Sequence, residues 1–315
     1  MGHQHHTVAV LAPVLYLTVT IESASSGEDE VHIHPGGQGF WVARMLKHLD
    51  ERPIICGPVG GEAGKVFIGL VSQFGMNMSP IEIAHRSPAV ISDRRSGERE
   101  MIAESPPISL ERHEIDDVYG RFLDRAITAG LCVVTGQSHE IFPERFYRRL
   151  GHDLAAGDVT VVADLHGPEL WYFLEGGPID ILKVSDEDMQ GDGLLAAVSD
   201  RRSMMKAIDR LTDGGVRSVV LSQQDRPTLA SIEGAWYEAR TPELDPADHR
   251  GAGDSMTAGL AAALKRGLGT EDMLRLASAA GAANVTRHGL GSADAELIPG
   301  LIEKVGVSRL APTPA

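Results

Sequence analysis

From about residue 110 to the C-terminus, the sequence alternates between short apolar runs and longer stretches with helical periodicity. The apolar runs are rich in β-branched residues and include LCVVTG, VTVVADL and SVVLSQ. Strands that alternate with helices of about 10–15 residues are typical of a mostly parallel sheet covered by helices on both faces. The sequence therefore predicts an α/β fold with three layers, in which the sheet lies between two layers of helices.

Two β-rich patches near the N-terminus, residues 14–34 and 81–104, interrupt this alternation. The first contains LYLTVTIE and EVHIH around the polar turn SASSGEDE, and the second has a polar turn at DRRSGER. β-branched runs on either side of a polar turn indicate hairpins. No internal repeat, low-complexity tract or linker divides the chain. We therefore predict a single domain over residues 1–315 with both patches forming a small β lid.

Composition and charge exclude several classes of function. The 315 residues carry a formal net charge of −15, and such an acidic surface repels nucleic-acid backbones. The apolar segment from Val8 to Ile21 is too short to span a bilayer and is followed at once by Glu22. Cys56 and Cys132 lie in apolar runs without metal-ligand spacing, which favours buried thiols in a reducing compartment. We expect a cytoplasmic protein that binds neither nucleic acid nor membrane.

The strongest functional signal is DHRGAGDSMTAGLAAALKRG at residues 248–267. A Gly-Ala-Gly turn opens a helix there, and its backbone N–H groups and the helix dipole can hold a transferring phosphoryl group. Asp254 lies at this turn, where a carboxylate could take a proton from an attacking hydroxyl. The alternative is an aspartate that only caps a helix beside glycine-mediated packing.

Two motifs together carry a resemblance to a known family. GAGDSMTAGLAAAL resembles the C-terminal signature of the PfkB carbohydrate kinases of the ribokinase superfamily, and HPGGQGFWVARMLKHL at 34–49 resembles their N-terminal signature. The order of elements is similar over nearly the whole chain. The pattern is most similar to the branch with 1-phosphofructokinases and tagatose-6-phosphate kinases. The resemblance implies a ribokinase-like fold, ATP as phosphoryl donor, and Mg²⁺.

The resemblance also implies catalytic roles. Asp254 matches the catalytic base of the family. Gly36 and Gly37 match the pair at which the lid joins the core and closes over substrate. The residues that match the anion hole are Gly251, Ala252 and Gly253.

The implied nucleotide and metal residues depart in part from the family pattern. In LKVSDEDM, Lys183 is kept, Ser185 stands where Asn is usual, and Asp188 stands where a metal-assisting Glu is usual. Asp248 matches an aspartate that in some relatives helps to hold a monovalent cation. Two further candidates for the nucleotide site are Ser222, which opens the divergent loop SQQDRP, and Asn284.

The acceptor side departs further from the family. Tyr16 stands where an aspartate usually binds sugar hydroxyls, Gln38 replaces a lysine, and Trp41 replaces an asparagine. Pro88 stands where a lid arginine often contacts a substrate phosphate. An acceptor site that contains Tyr16, Gln38 and Trp41 predicts a less polar or differently shaped acceptor, or a sugar stacked on an aromatic face.

The resemblance implies a kinase that phosphorylates a sugar or sugar-phosphate hydroxyl, and paired lids in relatives imply a homodimer. The rival interpretation is a catalytically weak protein with the same fold that binds a nucleotide or metabolite and has a regulatory role. The lid arginines also have two interpretations. They form a solvated hairpin, or they replace the lost contacts to a substrate phosphate. The residues concerned are Arg94, Arg95 and Arg99.

Overall fold

The computed structural model describes residues 7–24, 26–97, 99–136, 141–196, 200–224, 226–242, 251–285 and 296–311. The strands are β1 Thr7–Leu11, β2 Tyr16–Ser23, β3 Asp29–Gly36, β4 Arg52–Val59, β5 Asn77–Glu82, β6 Ala89–Asp93, β7 Glu100–Glu104, β8 Leu131–Gly136, β9 Thr160–Leu165, β10 Ile181–Ser185, β11 Ser218–Ser222, β12 Thr228–Ile232, β13 Ala235–Arg240 and β14 Gly306–Arg309. The helices are α1 Gln38–His48, α2 Gly61–Gln73, α3 Arg112–Ala129, α4 Glu144–Ala156, α5 Gly167–Gly176, α6 Asp186–Gly191, α7 Arg201–Asp213, α8 Ala252–Lys265, α9 Thr270–Val285 and α10 Leu297–Ile302.

Within these described residues, ten strands form one sheet in the order β14-β13-β12-β11-β10-β9-β8-β1-β4-β5. All pairs from β11 to β5 are parallel, whereas β12, β13 and β14 extend one edge as antiparallel strands. Parallel strands are ordinarily buried on both faces, and the apolar runs of the sequence place apolar side chains on both. The predicted α/β fold with a mostly parallel sheet is confirmed.

The residues of β1 alternate between two apolar cores, one on each face of the sheet. Val8 and Val10 belong to the core that α1, α2, α8 and α9 cover, whereas Ala9 and Leu11 belong to the core beneath α3, α4, α5 and α7. This period of two is that of a strand buried on both sides. The helices therefore form two layers with the sheet between them.

The two β-rich patches meet in a second, four-stranded sheet within the described part of the chain, in the order β3-β2-β6-β7. β2 pairs with β6 in parallel, so strands from both patches lie side by side. The boundaries differ slightly from those predicted. Ile81 and Glu82 belong to β5 of the main sheet, and β3 continues through Pro35 to Gly36. That this sheet acts as a lid stays a prediction.

One face of this second sheet is apolar and partly open to solvent. Directly paired residues share a face, and Val19 and Ile21 of β2 are opposite Ile33 and Val31 of β3. The exposed fractions are 62% for Val31 and 49% for Ile33. We call this surface, defined by Val19, Ile21, Val31 and Ile33 with Ile91 of β6, the apolar lid face.

The antiparallel edge was not predicted from the sequence. β12 and β13 form a hairpin around Glu233 and Gly234, which have φ angles of 50° and 80°. Two consecutive positive φ angles are the signature of a tight two-residue hairpin turn. The sequence signal was therefore the Glu-Gly pair between two β-rich runs.

Both cysteines are buried and free, as predicted. Burial raises the pKa of the Cys56 thiol to about 12, so this group is inert near neutral pH. Among the described helices, none has the length and apolar character required to cross a lipid bilayer.

Candidate active site

The predicted catalytic turn is the first turn of α8. Gly251 precedes the helix with a φ angle of 76°, a left-handed conformation that favours glycine. Asp254 lies in the same turn and is only 8% exposed, although it carries an ionisable group. The chain therefore places a buried carboxylate beside the free N–H groups of a helix start.

Lys183 reaches this turn from the middle of β10. A Cβ atom added to Gly253 would lie 2.4 Å from the Lys183 Nζ, so a glycine is needed for this close approach. Lys183 Nζ lies 3.5 Å from Oδ2 of Asp164, the residue before the end of the neighbouring strand β9. The Thr257 hydroxyl donates to the same oxygen at 2.9 Å. Strands β9 and β10 and helix α8 thus bring two carboxylates and one ammonium together.

The electrostatics of this group follow from its burial. Burial and the nearby Asp164 carboxylate raise the pKa of Asp254 to about 7, although the Lys183 ammonium and a hydrogen bond from Gln38 oppose the shift. Burial lowers the pKa of Lys183, but Asp164, Asp254 and Asp188 more than compensate, so its pKa lies above the ordinary value. Lys183 therefore remains charged, whereas Asp254 can gain or lose a proton near neutral pH.

The junction between the second sheet and the core carries the predicted acceptor residues. Gly37 precedes α1 with a φ angle of 119°, and a Cβ atom there would lie 2.3 Å from the Val14 carbonyl oxygen. At Gly36 a Cβ atom would lie 2.5 Å from the Tyr16 ring. Tyr16 and Trp41 meet edge to face with ring centroids 6.1 Å apart. Two aromatic rings therefore line the junction.

Gln38 connects this junction to the first turn of α8. It is the first residue of α1, and its side chain hydrogen-bonds to the Asp254 carboxylate. The structure thus brings together Gln38 and Asp254, which are distant in the sequence.

Ser185 and Asp188 close a capping box at the start of α6. The Asp188 Oδ2 accepts from the Ser185 hydroxyl at 2.6 Å and from its N–H at 3.0 Å. The other oxygen, Oδ1, lies 3.8 Å from His166 Nε2. His166 Nδ1 in turn lies 3.5 Å from an Asp192 oxygen. One carboxylate oxygen of Asp188 therefore carries no hydrogen bond from the cap.

The remaining nucleotide candidates lie near the same edge of the sheet. Ser222 pairs in register with Ser185, and its hydroxyl donates to the Val184 carbonyl at 3.4 Å. Asn284 is buried on α9, one turn after Gly281, where a Cβ atom would lie 3.2 Å from the Ala252 carbonyl. Asp248 lies outside the described residues.

The lid arginines lie far from the junction. Arg95 forms ion pairs with Asp93 and Asp29 at the outer ends of their strands. Arg94 lies 4.0 Å from Glu22. This end of β2 is five or six residues from Tyr16, which is roughly 17–20 Å along a strand. The interpretation as a solvated hairpin is therefore favoured over contact with a substrate phosphate. Arg99 donates to the Ser92 hydroxyl at 2.8 Å.

Sequence reasoning missed Asp164, Thr257 and His166. Asp164 had a detectable signal, because an aspartate near the end of the apolar run VTVVADL lies at the carboxyl edge of a parallel sheet, where ligands bind. Thr257 and His166 carried no comparable signal, since their partners are distant in sequence.

Comparison with known proteins identifies a family of enzymes for this chain. The chain matches the model of the pfkB family carbohydrate kinases over residues 14–296. The 1-phosphofructokinase of Bacillus subtilis (strain 168) is 24% identical over 280 residues, which cover 88% of this chain and 89% of that protein. The D-tagatose-1-phosphate kinase of Klebsiella oxytoca is 26% identical over 262 residues, or 82% and 83% of the two chains.

Among solved structures, Phosphofructokinase-2 from Escherichia coli in complex with potassium superposes with a TM-score of 0.85 at 19% identity. The match covers 94% of this chain and 98% of that one. The chain belongs to the pfkB family of carbohydrate kinases. The predicted family, its branch and the class of enzyme are confirmed.

Proposed function

We propose that this kinase transfers the γ-phosphoryl group of ATP to a hydroxyl of a sugar or sugar phosphate, with Asp254 as the general base. The observation that carries the proposal is the Asp254 carboxylate, buried at the start of α8 with its pKa raised to about 7. A base with a pKa near the working pH combines a large ionised fraction with a strong pull on the proton. An aspartate that only caps a helix needs neither this burial nor a raised pKa.

The transferred group would be held by the same turn. The N–H groups of Gly251, Ala252 and Gly253 lie at the start of α8, where the helix dipole favours negative charge. Lys183 contacts Gly253 and stays charged, so it can stabilise the phosphate oxygens. Asp164 and Thr257 fix Lys183 and the start of α8 relative to each other.

The residues present fit a magnesium ion held mainly by phosphates and water. Within the described part of the chain, no group of three or more histidine, cysteine or acidic side chains could enclose a metal. Mg²⁺ ordinarily needs only one or two protein carboxylates beside substrate phosphates. The Asp188 Oδ1 is the candidate ligand, directly or through water. When bound, Mg²⁺ neutralises the phosphate oxygens that accept charge.

Ser185, Ser222 and Asn284 are proposed to contact the nucleotide, and Asp248 a monovalent cation. Their support is the family resemblance, together with the pairing of Ser185 with Ser222 at one edge of the sheet and the position of Asn284 one turn after Gly281, which approaches the start of α8.

The second sheet is proposed to act as a lid that closes at Gly36 and Gly37. A second copy of the chain would cover its apolar lid face, because exposed apolar patches mark contacts between proteins. Sedimentation at micromolar concentration would test the homodimer, and an Ile33→Asp variant should shift the protein to monomer if the lid face is the contact. A wild-type protein that sediments only as monomer would rule out the dimer and leave the kinase proposal intact.

The alternative is a weakly catalytic binding protein with a regulatory role. The Tyr16 ring over Gly36 favours it, since this ring occupies the space beside the predicted acceptor residues. ADP release measured over sugars, sugar phosphates and nucleosides separates the two functions. The kinase proposal expects at least one acceptor with turnover that depends on Asp254. ATP binding without turnover for the entire panel would favour the alternative.

A further inference from the structure

The side chain of Gln38 has one end engaged and one end unpaired. Its amide hydrogen-bonds to Asp254. Its carbonyl oxygen, Oε1, is buried and has no hydrogen-bond partner among the described residues. Buried acceptors are ordinarily paired, and an unpaired one is costly unless a ligand or water completes it.

The orientation of the amide follows from the chemistry of its partner. An ionised carboxylate accepts hydrogen bonds and cannot donate them, so the Gln38 NH₂ group must be the end that contacts Asp254. The oxygen lies on the other branch of the same planar group. It therefore lies next to the catalytic carboxylate without being bound to it.

Resting on the proposed function, we propose that Gln38 determines specificity by accepting a hydrogen bond from a hydroxyl adjacent to the one that is phosphorylated. Asp254 takes the proton of the reacting hydroxyl, and Gln38 contacts Asp254, so a group that reaches Oε1 is close to the reacting atom. A carbonyl oxygen binds donors and repels phosphate, whose ionised oxygens only accept. The acceptor class is therefore a polyol with two neighbouring free hydroxyls.

The aromatic pair agrees with this class. Trp41 lies three residues after Gln38 on α1, which places the two side chains on one side of the helix. The Trp41 and Tyr16 rings can cover the apolar face of a sugar or a cyclic polyol while its hydroxyls point to Gln38 and Asp254. The lysine usual at this position could donate to Asp254, but it could not accept from a hydroxyl.

Two substitutions with side chains of similar length separate the donor role of Gln38 from its acceptor role. Gln38→Met removes both the donor and the acceptor, whereas Gln38→Lys keeps a donor for Asp254 and removes the acceptor. The acceptors are the best substrate of the panel and its analogues in which one neighbouring hydroxyl is replaced by hydrogen. The site of phosphorylation is read from the product by NMR, and kcat/KM is measured for each pair.

The wild type should prefer the diol to one of the deoxy analogues by about 10- to 100-fold, the usual effect of an unpaired buried polar group. Both variants should lose this preference. The pH profile should distinguish them. Burial and Asp164 raise the pKa of Asp254, whereas the hydrogen bond from Gln38 lowers it. Gln38→Met removes this hydrogen bond and should move the acidic limb of kcat/KM to higher pH. Gln38→Lys keeps a donor and should not move the limb to higher pH.

A variant that keeps the full preference for the diol would overturn the role of Gln38 while leaving the kinase function intact. A wild type that does not discriminate between the analogues would overturn it as well. A wild type that phosphorylates no acceptor would instead refute the proposed function, and this inference with it. Unchanged unfolding midpoints of both variants would show that the differences arise in the site.

Discussion

Two regions of this kinase are built differently. The transfer region comprises Lys183, Asp164 and Thr257, the acceptor region comprises Tyr16, Gln38 and Trp41, and the two meet at Asp254. Lys183, Asp164 and Thr257 are all buried, and Asp164 contacts both of the others at the carboxyl edge of the sheet. The acceptor region combines aromatic rings from two segments with the amide of Gln38. The first region keeps the residues expected for phosphoryl transfer, and the second departs from them. Under the proposed roles, acceptor recognition differs from that of the family, whereas the residues for phosphoryl transfer are largely kept.

The largest expected effect concerns acceptors that the acceptor region should reject. Fructose 1-phosphate and tagatose 6-phosphate should be poor substrates, because Tyr16, Gln38 and Trp41 replace the usual polar and cationic groups. Sites that lose hydrogen bonds to substrate discriminate by up to about 10⁴–10⁵. We expect kcat/KM for both phosphosugars below about 10⁴ M⁻¹s⁻¹, the lower end of typical enzymes. Ordinary values for either would show that the two regions did not diverge as described.

The next effect tests the transfer region directly. Asp254→Asn should lower kcat by about 10²–10⁴-fold, the usual contribution of a general base, with little change in ATP affinity. Asp209→Asn, on the exposed surface of α7, is the matched control and should leave kcat unchanged. Near-normal turnover of the Asp254 variant would remove this residue from the role of base.

A single methyl group should disturb the transfer region without removing any functional group. Gly253→Ala would place a Cβ atom 2.4 Å from the Lys183 Nζ, so the ammonium must move away. A displacement of about 1 Å can cost about 10²-fold in rate, and we expect a loss of this order in kcat. Gly120→Ala is the control, since a Cβ atom there meets nothing within 4 Å. Equal activity of both variants would argue against a role for the Lys183 contact.

The smallest effect concerns Mg²⁺ at the border of the transfer region. Asp188→Ala should raise the Mg²⁺ concentration for half-maximal rate by about 10-fold, which is typical for loss of an outer carboxylate. Asp188→Asn keeps an oxygen that can accept from the Ser185 N–H in the cap of α6 but removes the charge, so it separates metal binding from capping. If both variants titrate with Mg²⁺ like the wild type, Asp188 is not part of the site.

The sequence predicted the transfer region better than the acceptor region for physical reasons. The parallel strands and the Gly-Ala-Gly turn are local patterns, and a parallel sheet necessarily collects its carboxyl ends at one edge. The contact between Gln38 and Asp254 joins residues from opposite ends of the chain, and no local pattern encodes it. Asp164 lies between these cases, since its position was readable from the sequence but its partner Lys183 was not.

The burial of Asp254 also links folding to protonation. Its pKa rises from 3.8 to about 7 in the folded protein, so folding takes up a proton between these pH values. A raised folded pKa means that stability is complete below the unfolded pKa and declines as pH rises through the folded one. Ionisation of Asp254, which its proposed role as general base requires, therefore lowers the stability of the fold. An uncharged asparagine at this position should abolish this decline, as expected where a functional group is kept at the expense of stability.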